Sequence, residues 1–200
     1  VSLSDTPAAA LSPAQLKASL WADADRRVYA LVRGRCIAGL AERLEQAQGD
    51  AELEDFDCLR PGALSAAERA AAPWLVQLRR DSALTDWLLF AADRDHGAGT
   101  GSIDGGWGLV VRSALPFLAM RAHARELGRA RLPDGAEIAL EWMDPEVLQA
   151  LLASAAPDQL DRVFAGIDEM IVAGAAQWRH ASAALGQLQW QQSAVQGDSP

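Results

Sequence analysis

Short strand-forming runs alternate along this chain with helices that carry their own capping signals, and that alternation restricts the fold more than anything else in the sequence. Val28-Tyr-Ala-Leu-Val32 is rich in β-branched and aromatic types, is fenced by Arg26-Arg27 and Arg33-Gly34, and reads as a buried strand. Ahead of it, Ser12-Pro13 starts a helix, a capping hydroxyl before a proline whose missing N–H is harmless in the first turn. Leu16, Leu20 and Trp21 share one face of that helix. A second helix is predicted from Ile37 to Ala47. Ser65-Ala-Ala-Glu68 has the spacing of a capping box, Pro73 stops the short helix it opens, and Trp74 to Leu78 is the next strand. Ser82 to Ala92 places Leu84, Trp87, Leu88 and Ala91 at helical spacing.

In the second half, Leu109-Val-Val111 is a strand, Ser113 is expected to cap a helix with Pro116 in its first turn, and Gly128 is expected to supply a left-handed exit. Pro133-Asp-Gly135 is turn chemistry, and Ala136 to Met143 is predicted as a strand ending at Asp144-Pro145-Glu146, a cap, a first-turn proline and an acid at the positive helix end. Pro157-Asp158 opens a further helix, and Met170 to His180 is expected to give a last strand or a hairpin around Gly174. Asp50, Glu52, Glu54, Asp55 and Asp57 repel one another and predict a solvated loop. The pattern is that of an α/β fold, a mixed sheet with flanking helices. Six glycines between Gly97 and Gly108 mark a hinge, dividing one domain over 1–180 into lobes over about 1–98 and 106–180. Residues 181–200 read as a partly disordered C-terminal extension, since the composition turns to Gln, Ser, Gly and Asp.

Charge narrows the function. The chain has 200 residues, 27 Asp plus Glu against 18 Lys plus Arg, and a net charge of -9, which excludes a general binder of nucleic acid or anionic lipid. The longest apolar candidate, Gly108 to Met120, is broken by Arg112 and Pro116, so no membrane insertion is expected. Ala8 to Leu11 is too short for a secretory leader, which predicts a cytoplasmic protein. Cys36 and Cys58 have no paired spacing and read as reduced structural thiols.

Few side chains are placed for chemistry. The glycine tract lacks the Gly-Lys-Ser/Thr of a phosphate loop and follows a helix rather than a strand, so it reads as a connection. Asp93, Asp95 and His96 form no complete metal shell. Ser113, His123 and Asp144 are hydrolase residue types without a nucleophile elbow. No catalytic, cofactor or metal residue is therefore assigned. Arg112, Arg121, Arg125, Arg129 and Arg131 form a basic stretch in an acidic chain; Arg121, Arg125 and Arg129 fall on one helix face, the spacing either of a docking patch for an acidic partner or of an ordinary solvated face. Trp74, Trp107 and Trp142 adjoin apolar runs and read as structural, as do Asp144 and Pro145, whereas Trp178 and Trp190 are the aromatic candidates for an interface.

In this order the segments resemble a known family. Val28-Tyr-Ala-Leu-Val32, Ala72-Pro-Trp-Leu-Val-Gln-Leu78, Gly106-Trp-Gly108 leading to Ser113, the helix from Phe117 to Leu127, Pro133-Asp-Gly135 and Trp142-Met-Asp-Pro-Glu-Val-Leu148 together resemble the type VI secretion adaptors, the Tap or effector-chaperone proteins. The resemblance implies a non-catalytic adaptor that binds a toxic effector in the cytosol and hands it to the VgrG spike. Two places depart from the family pattern: Arg33 stands where an aspartate usually follows the first strand, and Glu141-Trp142-Met143 stands where an arginine with an aromatic usually precedes the Asp-Pro, so no role is carried over for that arginine. A small hydrolase or nucleotide-binding enzyme using the Gly97–Gly108 loop, and an immunity protein that blocks a toxin, are the alternatives.

Overall fold

The computed structural model describes residues 10–90, 106–132, 134–173 and 177–195. Its frame is a seven-stranded sheet with spatial order β2-β3-β1-β4-β7-β8-β9. In chain order these strands are β1 (Arg27–Arg33), β2 (Leu53–Cys58), β3 (Pro73–Leu78), β4 (Gly108–Ser113), β7 (Ile167–Ala173), β8 (Gln177–Ala184) and β9 (Gln187–Ala194), and each neighbouring pair is antiparallel. A separate two-stranded hairpin pairs β5 (Arg129–Arg131) with β6 (Glu137–Ala139).

The centre of the sheet explains why β1 reads as an unbroken apolar run. Side chains alternate across a strand, so a strand covered on both faces has no position for a polar residue. Val28, Ala30 and Val32 enter one core with Leu16 and Leu20 of α1 (Pro13–Leu20), Leu40 and Leu44 of α2 (Leu40–Gly49), and Leu84 and Leu88 of α4 (Ala83–Phe90). Tyr29 and Leu31 enter the other, with Met120 and Ala124 of α5 (Phe117–Leu127), Leu148 and Leu152 of α6 (Pro145–Ser154), and Leu160 and Val163 of α7 (Pro157–Val163). The short α3 (Ala66–Ala71) starts at the capping box of Ser65 and Glu68 and buries no residue.

The α/β expectation with flanking helices holds, and several local expectations do not. Three acids of the stretch, Glu54, Asp55 and Asp57, lie on edge strand β2, where Glu54 is exposed and pairs with Arg79 at 2.9 Å and the half-buried Asp57 pairs with Arg121. Repulsion among carboxylates disfavours burial, not an exposed sheet edge. Ser113 is the buried last residue of β4, donating to the Gly166 carbonyl at 2.6 Å and accepting from the Leu115 amide, while Pro116 holds the cap position of α5. Gly128 has φ -73, so the helix exit is not left-handed. The predicted strand 136–143 contracts to β6. The segment expected as an extension supplies the last residues of β8 and all of β9, and the hairpin expected around Gly174 is β7–β8.

Gly97 to Gly105 lie outside the described residues, so a hinge there is not described. The halves on either side of the tract are joined in one sheet, because β1 pairs with β4 from Arg27↔Ser113 to Val32↔Gly108. Gly108 is required at that junction: φ is +146, and a Cβ there would stand 1.9 Å from the Leu31 carbonyl oxygen.

Candidate protein-docking groove

A groove opens where the end of β1 meets the β5–β6 hairpin. Its floor is apolar, with Leu59, Pro73, Ala124, Ile138 and Met143 among its lining residues, and its cavity volume is about 350 Å³. Five arginines rim it: Arg33, Arg35, Arg60, Arg125 and Arg129, against the acids Glu137 and Glu141. A second depression of about 450 Å³ shares Arg125, Arg129 and Glu137 with it and continues along α5 past Arg121.

The wall is set by Trp142, Arg33 and Asp144. Trp142 is fully buried and its indole N–H donates to the Ala124 carbonyl at 3.2 Å, fixing the segment after β6 beneath α5. One carboxylate oxygen of Asp144 accepts from the Glu146 amide at 2.9 Å as the cap of α6, and the other meets the Arg33 guanidinium at 2.7 Å. Pro145 is buried as the first residue of that helix. Arg33 also donates to the Gly106 carbonyl at 2.7 Å, and Arg35 donates to Glu141 at 2.8 Å.

The two departures from the family pattern therefore meet in space, with Arg33 and Glu141 3.8 Å apart. In this chain the two positions form a contact of opposite charges at the end of β1. Arg33→Asp and Glu141→Arg are each expected to cost about 1–3 kcal/mol, by leaving like charges in contact, and the double variant to recover at least about 1 kcal/mol of their sum in urea denaturation.

The structure separates the arginines that the sequence grouped. Arg112 lies on the opposite sheet face from α5, alternating with Val111, and its nearest acid is Asp168 at 4.0 Å. Arg121 pairs with Asp57, and Arg125 donates to the carbonyls of Cys58 and Leu59 at 2.7 and 3.1 Å, so both tie α5 to the β2 edge. Arg131 pairs with Glu137. Arg129 and Arg60 are exposed, and their guanidinium groups have neither hydrogen bond nor ion pair among the described residues. Arg33, Arg35 and Arg60 were not among the partner-binding candidates in the sequence. The departure at Arg33 from the pattern of the resemblance was the available signal for the first of them.

Trp178 does not suit an interface: it is 0% exposed and stacks on Phe90 at 5.9 Å. Trp190 is half-buried on β9 against the second core. Trp74 and Trp107 are buried in the first core. Ser113, His123 and Asp144 are held apart in function: Ser113 bonds Gly166, His123 meets the Val163 carbonyl at 3.0 Å, and Asp144 caps α6. Burial pushes the Cys58 thiol up, away from the thiolate form that nucleophilic cysteines use. Asp93, Asp95 and His96 lie outside the described residues; among the described residues no group of three His, Cys, Asp or Glu side chains is placed to hold a metal. No described helix is long and apolar enough to cross a membrane.

The fold is an α/β sheet domain whose groove combines an apolar floor with a rim of arginines. A family model described as a domain of unknown function (DUF4123) matches residues 28–162, and the chain belongs to that family, which is known in type VI secretion effector adaptors. No curated protein and no solved structure matches the chain. The matched span covers β1 through α7 and both walls of the groove, and leaves β7, β8 and β9 beyond it.

Proposed function

We propose that this chain is an adaptor that binds a toxic type VI effector and delivers it to the VgrG spike. The observation that carries the reading is the groove itself: an apolar floor rimmed by arginines, two of them unpaired, inside the family-matched span of a chain whose net charge is -9. Apolar burial on the floor supplies binding energy, and the free guanidinium groups of Arg60 and Arg129 orient an acidic segment of the cargo. Arg121 and Arg125 are occupied in holding α5, so they shape the groove without being available to the cargo.

The test is affinity purification of the tagged chain from its own cells, followed by titration of the recovered effector. Arg60→Glu with Arg129→Glu is expected to weaken capture by at least about tenfold with unchanged thermal unfolding, because both side chains are exposed and unpaired. Unchanged affinity would remove the groove from the account. An immunity protein would instead rescue cells from the toxin without being needed for export, and an enzyme would turn over a substrate with no cargo bound.

A further inference from the structure

The two edges of the sheet are built differently. β2 carries Glu54, Asp55 and Asp57 and a register shift between Leu53 and Asp55, and such charges and irregularities keep a sheet edge from pairing with another chain. β9 reads Gln-Leu-Gln-Trp-Gln-Gln-Ser-Ala, with no charged residue and no proline, in an unbroken ladder with β8 from Gln177↔Ala194 to Ala184↔Gln187. Gln187, Gln189 and Gln191 are exposed on one face, and Leu188 and Trp190 alternate onto the other, half-buried against the second core.

The outer side of β9 already accepts added backbone at one end. The Leu11 amide donates to the Ala194 carbonyl at 2.9 Å in a parallel bridge with Val195. Ala194 thus turns its main-chain groups away from β8, and by strand alternation so do Leu188, Trp190 and Gln192. Among the described residues none pairs with this edge from Gln187 to Gln191.

We propose that this edge pairs antiparallel with the same edge of a second copy of the chain, about a two-fold axis through Gln189. Charge selects the place, since two copies at -9 each repel wherever acidic surfaces meet, and β9 is an uncharged strip. Sequence selects the occupant. Read backwards against itself in this register, β9 sets Leu188 opposite Trp190 of the second copy, an aliphatic–aromatic pair made twice by symmetry. Gln187 then faces Gln191 of the second copy, and Gln189 faces its own equivalent, so each amide meets a group that both donates and accepts. The outward peptide groups of Leu188 and Trp190 exchange hydrogen bonds across the axis, and the stretch that Leu11 occupies is left alone. Two seven-stranded sheets become one. β9 lies beyond the family-matched span, so this pairing is independent of the groove.

The test uses the full chain carrying Gln189→Cys, oxidised gently and run on a non-reducing gel beside the unsubstituted chain, whose Cys36 and Cys58 are half-buried. A disulfide-linked dimer is expected from Gln189→Cys, whereas Gln187→Cys should cross-link only when mixed with Gln191→Cys. Sedimentation velocity across the micromolar range should show a dimer for the unsubstituted chain, and Gln189→Lys, which sets two ammonium groups on the axis, should weaken it by at least about tenfold. A monomer throughout that range, a dimer indifferent to Gln189→Lys, or cross-linking by Gln187→Cys alone would each overturn the proposal.

Discussion

Trp142→Ala is expected to lower the unfolding free energy by about 3–5 kcal/mol, the range for removing a large aromatic side chain from a packed core. The indole is fully buried in the second core. Its N–H is also the bond that fixes the chain after β6 to the Ala124 carbonyl on α5. Trp142→Phe retains most of the buried apolar surface and gives up that donor, so a smaller loss of about 1–2 kcal/mol is expected. Urea denaturation of both variants against the parent checks the pair. Equal losses would mean that the hydrogen bond, rather than the packed volume, sets the position of the groove wall.

Asp144→Ala should cost about 3 kcal/mol, from two sources that a second substitution separates. Loss of the cap leaves the first amides of α6 without an acceptor, worth about 1 kcal/mol. Loss of the charge leaves Arg33, whose side chain is 10% exposed, without its nearest carboxylate, worth about 2 kcal/mol after allowing for Glu141 at 3.8 Å. Asparagine caps a helix about as well as aspartate, so Asp144→Asn should keep the first contribution and lose only the second. If Asn and Ala were equally destabilising, the Arg33 contact would account for the whole effect.

How much of this was legible in the sequence depended on whether a residue's neighbours in the chain are also its neighbours in space. β1 and β3 were readable because strands covered on both faces need apolar residues at every position, and local composition carries that requirement. The caps at Ser12, Ser65 and Asp144 were readable for the same reason, since a cap and its amides lie within three residues. β2 was hidden because its acids are acceptable only at an edge, and edge position is a property of the whole sheet. β9 was hidden by its glutamines, although Leu188 and Trp190 keep the alternation of a half-covered strand. At the site, nearness in sequence misled: Arg112 and Arg121 are nine positions apart and lie on opposite sides of the sheet. The Arg33–Glu141 contact was present in the sequence only as two distant residues, and it takes the fold to bring them to 3.8 Å.

The β1–β4 ladder also governs the order in which the chain can fold. β1 occupies the middle of the sheet, yet one of its two partners is more than seventy residues downstream; the Tyr29 hydroxyl and the Leu115 carbonyl that it bonds are 86 positions apart. Closing so long a loop loses chain entropy before any contact offsets it, which slows folding. During synthesis the ribosome releases β1, β2 and β3 first, and until Gly108 to Ser113 emerge one side of β1 is an unpaired strand edge whose apolar middle, Val28 to Val32, is of the kind that aggregates. The chain therefore passes through an interval in which its own central strand is open to any strand that reaches it first.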